Sequence, residues 1–177
     1  MNLEYKYLLD GSFDPASRVW VYQASRLFTL SEALEIESLL NNFSTQWKSH
    51  GTPVKGAGYL FFGQFVILMA DETASGVSGC STDSSVRLIK DIEQRFGVNM
   101  FDRTTLAFMV KDKSDSYRTQ MLPLSQLQYA FDNQFITADT LYFNNLVQTK
   151  KELEEEWLQP IKNSWLAKRI SNFQSVP

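Results

Sequence analysis

The chain has 177 residues, with 17 Lys plus Arg, 20 Asp plus Glu and a formal net charge of -3. This length suits about one domain, and a composition of 44% hydrophobic and 21% charged residues is typical of a folded globular protein. The negative charge argues against a general nucleic-acid binder, which needs a basic surface. One cysteine and one histidine exclude a disulfide framework and a metal site rich in either residue, so we expect no metal and no cofactor.

Neither a targeting segment nor a membrane span is predicted. The first residues include Glu4 and lack the apolar stretch of a signal peptide. The longest apolar run, Tyr59 to Ala70, is interrupted by Gly63 and Gln64 and is shorter than the ~20 residues that a membrane-spanning helix needs. We therefore expect a cytoplasmic protein that does not bind a membrane.

The first predicted elements are a strand and a helix. Arg18 to Phe28 holds a run of β-branched and aromatic residues typical of a strand. Thr29-Leu30-Ser31-Glu32 then matches the capping box, in which Thr caps the helix and Glu reaches back to the cap amide. Apolar residues recur beyond it at spacings of three and four, which predicts an amphipathic helix ending near His50-Gly51.

The middle of the sequence predicts a hairpin, a second helix and a further strand. Residues 52–58 are rich in Gly and Pro and predict a loop. Two apolar runs, Tyr59–Phe62 and Phe65–Ala70, are joined by two residues, as in a β-hairpin. Thr82 or Asp83 can cap the next helix, which stops at Gly97, and Thr105 to Val110 predicts another strand.

Residues 18–111 thus follow the order β-α-β-β-α-β. This is the order of the ferredoxin-like unit, an antiparallel sheet with both helices on one face, so the predicted class is α+β. A three-layer α/β sheet is the alternative, but it needs a helix between the two middle strands. We interpret residues 1–177 as a single domain, in which a mostly helical extension, residues 112–177, packs on this core.

The extension has weaker patterns. Tyr117 to Leu122 indicates an edge strand that Pro123 closes. Residues 125–133 and 150–157 are predicted helical, and Pro160 is predicted to start a new helix through Ile170.

One face of the predicted sheet needs a cover. The strand at Phe65–Ala70 is apolar at every position, which indicates burial on both faces. We expect the extension to cover the face opposite the helices, with Trp157 or Trp165 buried against apolar side chains. The alternative is a homodimer through that sheet face. The aromatic residues of the extension that suit this cover are Phe131, Phe135, Phe143, Trp157 and Trp165.

The topology brings two loops to one edge of the predicted sheet. These loops, His50 to Gly58 and Asp71 to Thr82, place His50, Cys80 and Asp83 near one another. Amides at a helix start can lower the pKa of a cysteine, which makes Cys80 a candidate nucleophile with His50 as base and Asp83 as its orienting partner. The alternative is that Cys80 is a small packed residue and Asp83 a helix cap.

The same helix start has two other interpretations. Ser81, Thr82 and Ser84 are candidate ligand-binding residues, because amides and hydroxyls at a helix start can hold an anion. A serine-rich cap explains them equally, since no Lys or Arg lies between Asp71 and Val86. Carboxylates at residues 71, 72 and 83 suit a hard cation, but their spacing matches no established loop.

Four segments of the chain carry a resemblance to known sequences: Arg18–Arg26 (RVWVYQASR), Trp47–Gly51 (WKSHG), Ser78–Ser85 (SGCSTDSS) and Phe101–Arg103 (FDR). Together they resemble an uncharacterised family of small bacterial proteins that automatic labelling often calls "ABC transporter ATPase". The resemblance covers about residues 18–111 and implies no established activity.

The sequence excludes the ATPase label and leaves two functions open. A transporter ATPase needs a Gly-rich loop ending in Gly-Lys, and no Gly-Lys pair occurs in the chain. The first function is a non-catalytic domain that binds a small molecule or a protein. The second is a thiol-dependent enzyme that uses Cys80 with His50. The reactivity of the Cys80 thiol at neutral pH distinguishes them.

Overall fold

The computed structural model describes residues 3–49, 51–71, 79–112, 115–171 and 173, with the backbone alone for residues 49 and 79–82. The chain divides into two compact units. The N-terminal unit comprises Asn2–Asp102 and Asn145–Glu154, and the C-terminal unit comprises Arg103–Asn144 and Glu155–Pro177. Helices accompany antiparallel sheets, as the predicted α+β class requires. The assignment of the whole chain to one domain stays a prediction.

The N-terminal unit contains a three-stranded antiparallel sheet and two long helices. Its strand order is β1-β5-β4, and a separate two-stranded hairpin joins β2 to β3. The elements in chain order are a 3-10 helix Tyr5–Leu8, β1 Arg18–Gln23, α1 Leu30–Gln46, β2 Lys48–Ser49, β3 Thr52–Pro53, β4 Lys55–Phe61, β5 Phe65–Asp71 and α2 Gly79–Phe96.

The C-terminal unit contains a four-stranded antiparallel sheet of order β7-β6-β8-β9. Its 3-10 helices are Leu124–Gln126, Ile161–Asn163 and Trp165–Arg169. Its other elements are β6 Thr105–Lys111, β7 Tyr117–Pro123, α3 Leu127–Asp132, β8 Leu141–Phe143 and β9 Leu158–Pro160. Helix α4, Lys150–Glu156, belongs to the N-terminal unit as far as Glu154.

The structure does not confirm the four-stranded ferredoxin-like sheet. The predicted fourth strand, β6, pairs with β7 on one side and β8 on the other. Its hairpin with β7 closes through a short link, which costs less chain entropy than a crossover. The open edge of β1 is instead used by the chain near residue 148, since Val19 N donates to Gln148 O at 2.8 Å and Arg18 forms a bridge with Thr149.

Nor is a mostly helical extension confirmed. The edge strand β7 and the helix α3 lie close to their predicted positions, and α4 forms the predicted helix at 150–157 as far as Glu156. The tripeptide Leu141–Phe143, however, forms a strand, because β6 and β9 supply backbone partners on both sides. Pro160 ends β9 and precedes short 3-10 helices rather than one helix through residue 170.

The hairpin between β4 and β5 is confirmed. The two strands pair antiparallel from Lys55↔Asp71 to Phe61↔Phe65. Phe62 and Gly63 both have positive φ, 55° and 63°, and Gln64 N donates to Phe61 O at 3.1 Å. Those dihedral signs are those of a type I′ turn, whose twist matches that of paired strands.

Two glycines that predict a loop lie instead in strand β4, where they allow close packing. Gly56 and Gly58 lie within β4. Gly56 lies against the side chain of Trp47, the residue that follows α1, and Gly58 lies against Leu40 of α1. A Cβ on Gly56 would lie 2.5 Å from Trp47 Cε3, and one on Gly58 would lie 3.0 Å from Leu40 Cβ. The loop prediction for residues 52–58 was therefore wrong: these glycines permit close packing of helix on strand.

Strand β5 is buried along its whole length, as its apolar composition predicts. Val66, Leu68 and Ala70 belong to one core cluster with Ile36 and Leu40 of α1. Alternate residues of a strand point to opposite faces, so the rest of β5 lies on the second face of the sheet.

The N-terminal segment contacts this second face. Tyr5 packs on Phe61, with ring centroids 5.8 Å apart, and its hydroxyl donates to Leu153 O at 2.7 Å. Asp10 N donates to the Tyr59 hydroxyl at 3.1 Å, beside Phe61 on β4. The sequence predicts a cover from residues 112–177 and gives no signal for this N-terminal segment, because its apolar residues show no regular spacing.

The capping box at the start of α1 is confirmed. Glu32 N donates to Thr29 Oγ1 at 3.3 Å, and Thr29 N donates to Glu32 Oε2 at 2.8 Å. Arg26 adds two hydrogen bonds to the Glu32 carboxylate, at 2.8 and 3.0 Å, and a third to Phe96 O at the end of α2. The hydrogen bonds from Arg26, then that from the Thr29 amide, lower the pKa of Glu32 to about 2.

Glu32→Gln should therefore destabilise the protein in a pH-dependent way. The pKa of Glu32 is about 2 in the folded state against an ordinary 4.5, so the ionised carboxylate stabilises the fold above pH 4.5. That contribution is lost as pH falls from 4.5 towards 2. Urea midpoints of wild type and variant should differ at pH 7 and converge across this range. Glu37→Gln, at an exposed position of the same helix, should show no such convergence. If the urea midpoints of wild type and Glu32→Gln differed by the same amount at every pH, the prediction would be contradicted.

Candidate functional site

The site residues predicted from the sequence are described only in part. His50 lies outside the described residues, and for residues 80–82 the backbone alone is described, within α2. Asp83 is exposed on the same helix, and Ser84 is half-buried. The proximity of His50, Cys80 and Asp83 therefore stays a prediction.

Helix α2 begins earlier than predicted. It starts at Gly79, so Thr82 and Asp83 lie inside the helix and neither caps it. Ser85 is fully buried, as are Ile89 and Ile92 further along. Among the residues of α2 whose side chains are described, Ser85 is the first buried one, and it lies one turn ahead of Ile89. The helix stops at Gly97, whose φ of 61° fits the predicted left-handed end.

Asp71 has a cationic partner from the protein itself. Its side chain is buried, and Lys55 Nζ lies 3.2 Å from its Oδ2. Lys55 also donates to Ser12 O and lies 4.7 Å from the ring centre of Phe13. Within the described residues, no group of three or more His, Cys, Asp or Glu side chains is placed to hold a metal ion.

The C-terminal unit contains a groove of about 440 Å³. Strands β6 and β7 form its floor, in a register that pairs Phe108 with Gln120 and Val110 with Arg118. Directly opposed residues of an antiparallel pair lie on the same face, so these four side chains share one side of the sheet. Phe108 is fully buried and packs against Tyr142 of β8, with ring centroids 5.7 Å apart. Burial raises the pKa of Tyr142 to about 12, so its hydroxyl stays protonated and uncharged at neutral pH.

Helix α3 and the turn that follows it form the wall of the groove. Buried Ala130 packs this short helix against the core, while Tyr129 stays 64% exposed. Gln134 has a φ of 59°, and Phe135 N then donates to Ala130 O at 2.9 Å. This turn brings the Phe135 ring to 6.3 Å from that of Tyr129 and leaves it 69% exposed.

Two cations line the groove near the turn between β6 and β7. Lys111 Nζ lies 2.7 Å from Asp115 Oδ1, and this hydrogen bond raises the pKa of Lys111. Arg118 is exposed and makes no ion pair in the described part of the chain. A guanidinium is positively charged at any physiological pH. The groove therefore combines apolar walls with the guanidinium of Arg118, which no carboxylate of the described residues neutralises.

Sequence reasoning missed this groove. Phe135 was expected to cover a sheet face, yet it is exposed, whereas Phe131, Phe143 and Trp157 of the same predicted set are buried. The available signal was an aromatic residue in a polar stretch, Asp132-Asn133-Gln134-Phe135, where a core residue is unusual.

No protein-family model, curated protein or solved structure matches the chain. Among the described residues, no helix is both long and apolar enough to cross a membrane.

Proposed function

We propose that this protein is a non-catalytic binding domain and that a small molecule with an apolar body occupies the groove of the C-terminal unit. The observation that carries this proposal is the pair of exposed rings, Tyr129 and Phe135, at a groove of about 440 Å³. Small-molecule pockets span ~300–1,000 Å³ and combine apolar walls with a few polar groups. Large aromatic side chains cost free energy when water surrounds them, so a ligand that covers both is stabilised by their burial.

The lining supports binding rather than catalysis. The described residues that line the groove include no His, Cys, Asp or Glu, the residues that most often act as acids, bases or nucleophiles. Its polar side chains are two amides, Gln120 and Gln126, with the phenol of Tyr129 and the cations Lys111 and Arg118. Such groups orient a ligand by hydrogen bonding and charge.

A small molecule is favoured over a homodimer through the first sheet. The N-terminal segment already contacts the second face of that sheet, through Tyr5 on Phe61 and Asp10 on Tyr59. A partner on the same face would have to displace these contacts.

A thiol-dependent enzyme that uses Cys80 with His50 and Asp83 stays the second proposal. One observation favours it, because α2 begins at Gly79 and so has the Cys80 backbone in its first turn. Amides at a helix start favour the thiolate form of a cysteine.

For the fold, we propose that residues 18–96 represent a ferredoxin-like unit that lacks its fourth strand. The order β1-β5-β4 and the positions of α1 and α2 along the chain support this. The resemblance to the uncharacterised bacterial family and the cytoplasmic location are likewise proposals.

The binding proposal is tested with N-phenyl-1-naphthylamine, an uncharged probe whose fluorescence rises in apolar surroundings. The full-length protein should bind it saturably at one site. Phe135→Ser should weaken binding by about tenfold or more, because the ring buries against the probe. Tyr7→Ser is the matched control, since Tyr7 is a 79% exposed aromatic residue of the other unit. Absent or unsaturable binding, or equal weakening by both variants, would contradict the proposal.

A further inference from the structure

The sign of the charge inside the groove is opposite to that of the protein. The chain has a formal net charge of -3. The described residues that line the groove nevertheless include two cations, Lys111 and Arg118, and no carboxylate. Such a local reversal of sign attracts a ligand of negative charge.

The two cations are not equivalent. Asp115 neutralises Lys111, with 2.7 Å between Nζ and Oδ1, and the Lys111 ammonium also lies 5.3 Å from the ring centre of Tyr117. Arg118 has no ion pair in the part of the chain that the structure describes, and it shares the groove face with Val110. Among the described residues, Arg118 therefore supplies a positive charge at the hairpin end of the floor that no carboxylate compensates.

A single guanidinium selects the kind of anion. Its planar fork matches the two oxygens of a carboxylate in a bidentate pair. A phosphate monoester carries between one and two negative charges at neutral pH, and one guanidinium would leave part of that charge without a partner. The groove thus suits a ligand with one carboxylate and an apolar body that reaches Tyr129 and Phe135.

We propose that the groove binds a small organic carboxylate, with its carboxylate on Arg118 and an aromatic or branched apolar body against Tyr129 and Phe135. This inference rests on the proposed function, since it specifies the ligand of the same groove. Arg118 makes the groove prefer a carboxylate over an uncharged group, and the two rings bind the apolar part of the ligand.

The test compares a matched pair of ligands that differ only in charge. Sodium 4-phenylbutanoate and 4-phenylbutanol each compete with N-phenyl-1-naphthylamine for the full-length protein. Arg118→Gln should weaken competition by the carboxylate by about tenfold and leave the alcohol unchanged. Arg118→Lys should give an intermediate loss, because lysine keeps the charge without the fork. Higher salt should weaken the carboxylate alone.

Arg103→Gln is the matched control, because Arg103 is an exposed arginine of the same unit that does not line the groove. It should change carboxylate binding by less than about twofold, since salt screens a charge that lies away from the ligand. Equal losses in Arg103→Gln and Arg118→Gln would overturn the assignment to Arg118. If both ligands compete with the probe and Arg118→Gln weakens neither of them, the carboxylate proposal is overturned. The proposal that the groove binds a small molecule would survive that result. If neither the probe nor the alcohol binds, the proposed function itself fails.

Discussion

Trp157→Ala should lower the free energy of unfolding by about 3–5 kcal/mol, the range for removing a buried Trp or Phe side chain. Trp157 is fully buried in the C-terminal unit, and its ring centre lies 5.2 Å from that of Phe143. Its carbonyl also accepts a hydrogen bond from Asn144 N at 2.6 Å, so the surrounding backbone is held in place and cannot readily fill the cavity. Urea denaturation followed by far-ultraviolet circular dichroism measures the loss.

Tyr7→Ala is the control for this prediction, because it also removes an aromatic side chain but leaves no cavity. Tyr7 is 79% exposed, so its removal should change the free energy of unfolding by less than about 0.5 kcal/mol. If Trp157→Ala were as mild as Tyr7→Ala, the packing described around Trp157 would be wrong.

Gly56→Ala should lower the free energy of unfolding by about 1–3 kcal/mol through overpacking. The added Cβ would lie 2.5 Å from Trp47 Cε3, closer than van der Waals contact allows. The Trp47 ring has little room to move, because it is 2% exposed and lies 4.8 Å from the ring of Phe43 and 5.9 Å from that of Trp20. Strand β4 or helix α1 must therefore shift. Chemical denaturation measures the change.

Two other glycines provide a graded control. A Cβ on Gly58 would lie 3.0 Å from Leu40 Cβ, so Gly58→Ala should cost less than Gly56→Ala. A Cβ on Gly11 would meet no heavy atom within 4 Å, and Gly11→Ala should change the free energy of unfolding by less than about 0.5 kcal/mol. Equal losses at Gly11 and Gly56 would show that chain flexibility, not the contact with Trp47, sets the cost.

Signals confined to a few neighbouring residues predicted local structure well. The capping box at Thr29 and Glu32 and the stop at Gly97 form as the sequence indicates. The predicted hairpin between β4 and β5 also forms, with its turn centred on Phe62-Gly63, one residue before the predicted Gly63-Gln64. Each depends on backbone geometry within one turn, where the identity of the residue decides the allowed dihedral angles or the hydrogen bond. The burial of β5 was also readable, because an unbroken apolar run has no polar face to offer to water.

The partners of strands and the course of loops depended on contacts distant in sequence. The composition of β6 marks it as a strand but does not distinguish β1 from β7 and β8 as its neighbours. By residue type alone, Gly56 and Gly58 indicate a loop. In the structure they lie in a strand, because the side chains of Trp47 and Leu40 pack where a Cβ would otherwise stand. In both cases the sequence pattern has two solutions of similar local free energy, and tertiary packing selects one.

In the groove, too, some features follow from the sequence and others only from tertiary packing. The sequence by itself determined that β7 is an edge strand and that residues 125–133 contain a helix. Only the tertiary structure decided that Phe135 stays exposed beside Tyr129 and that Arg118 shares a face with Val110. Exposure depends on which atoms cover a side chain, and a one-residue change of register moves every side chain of a strand to the opposite face. Neither property is encoded by residue type alone, so a binding groove assembled from strand, helix and turn emerges only when these elements pack together.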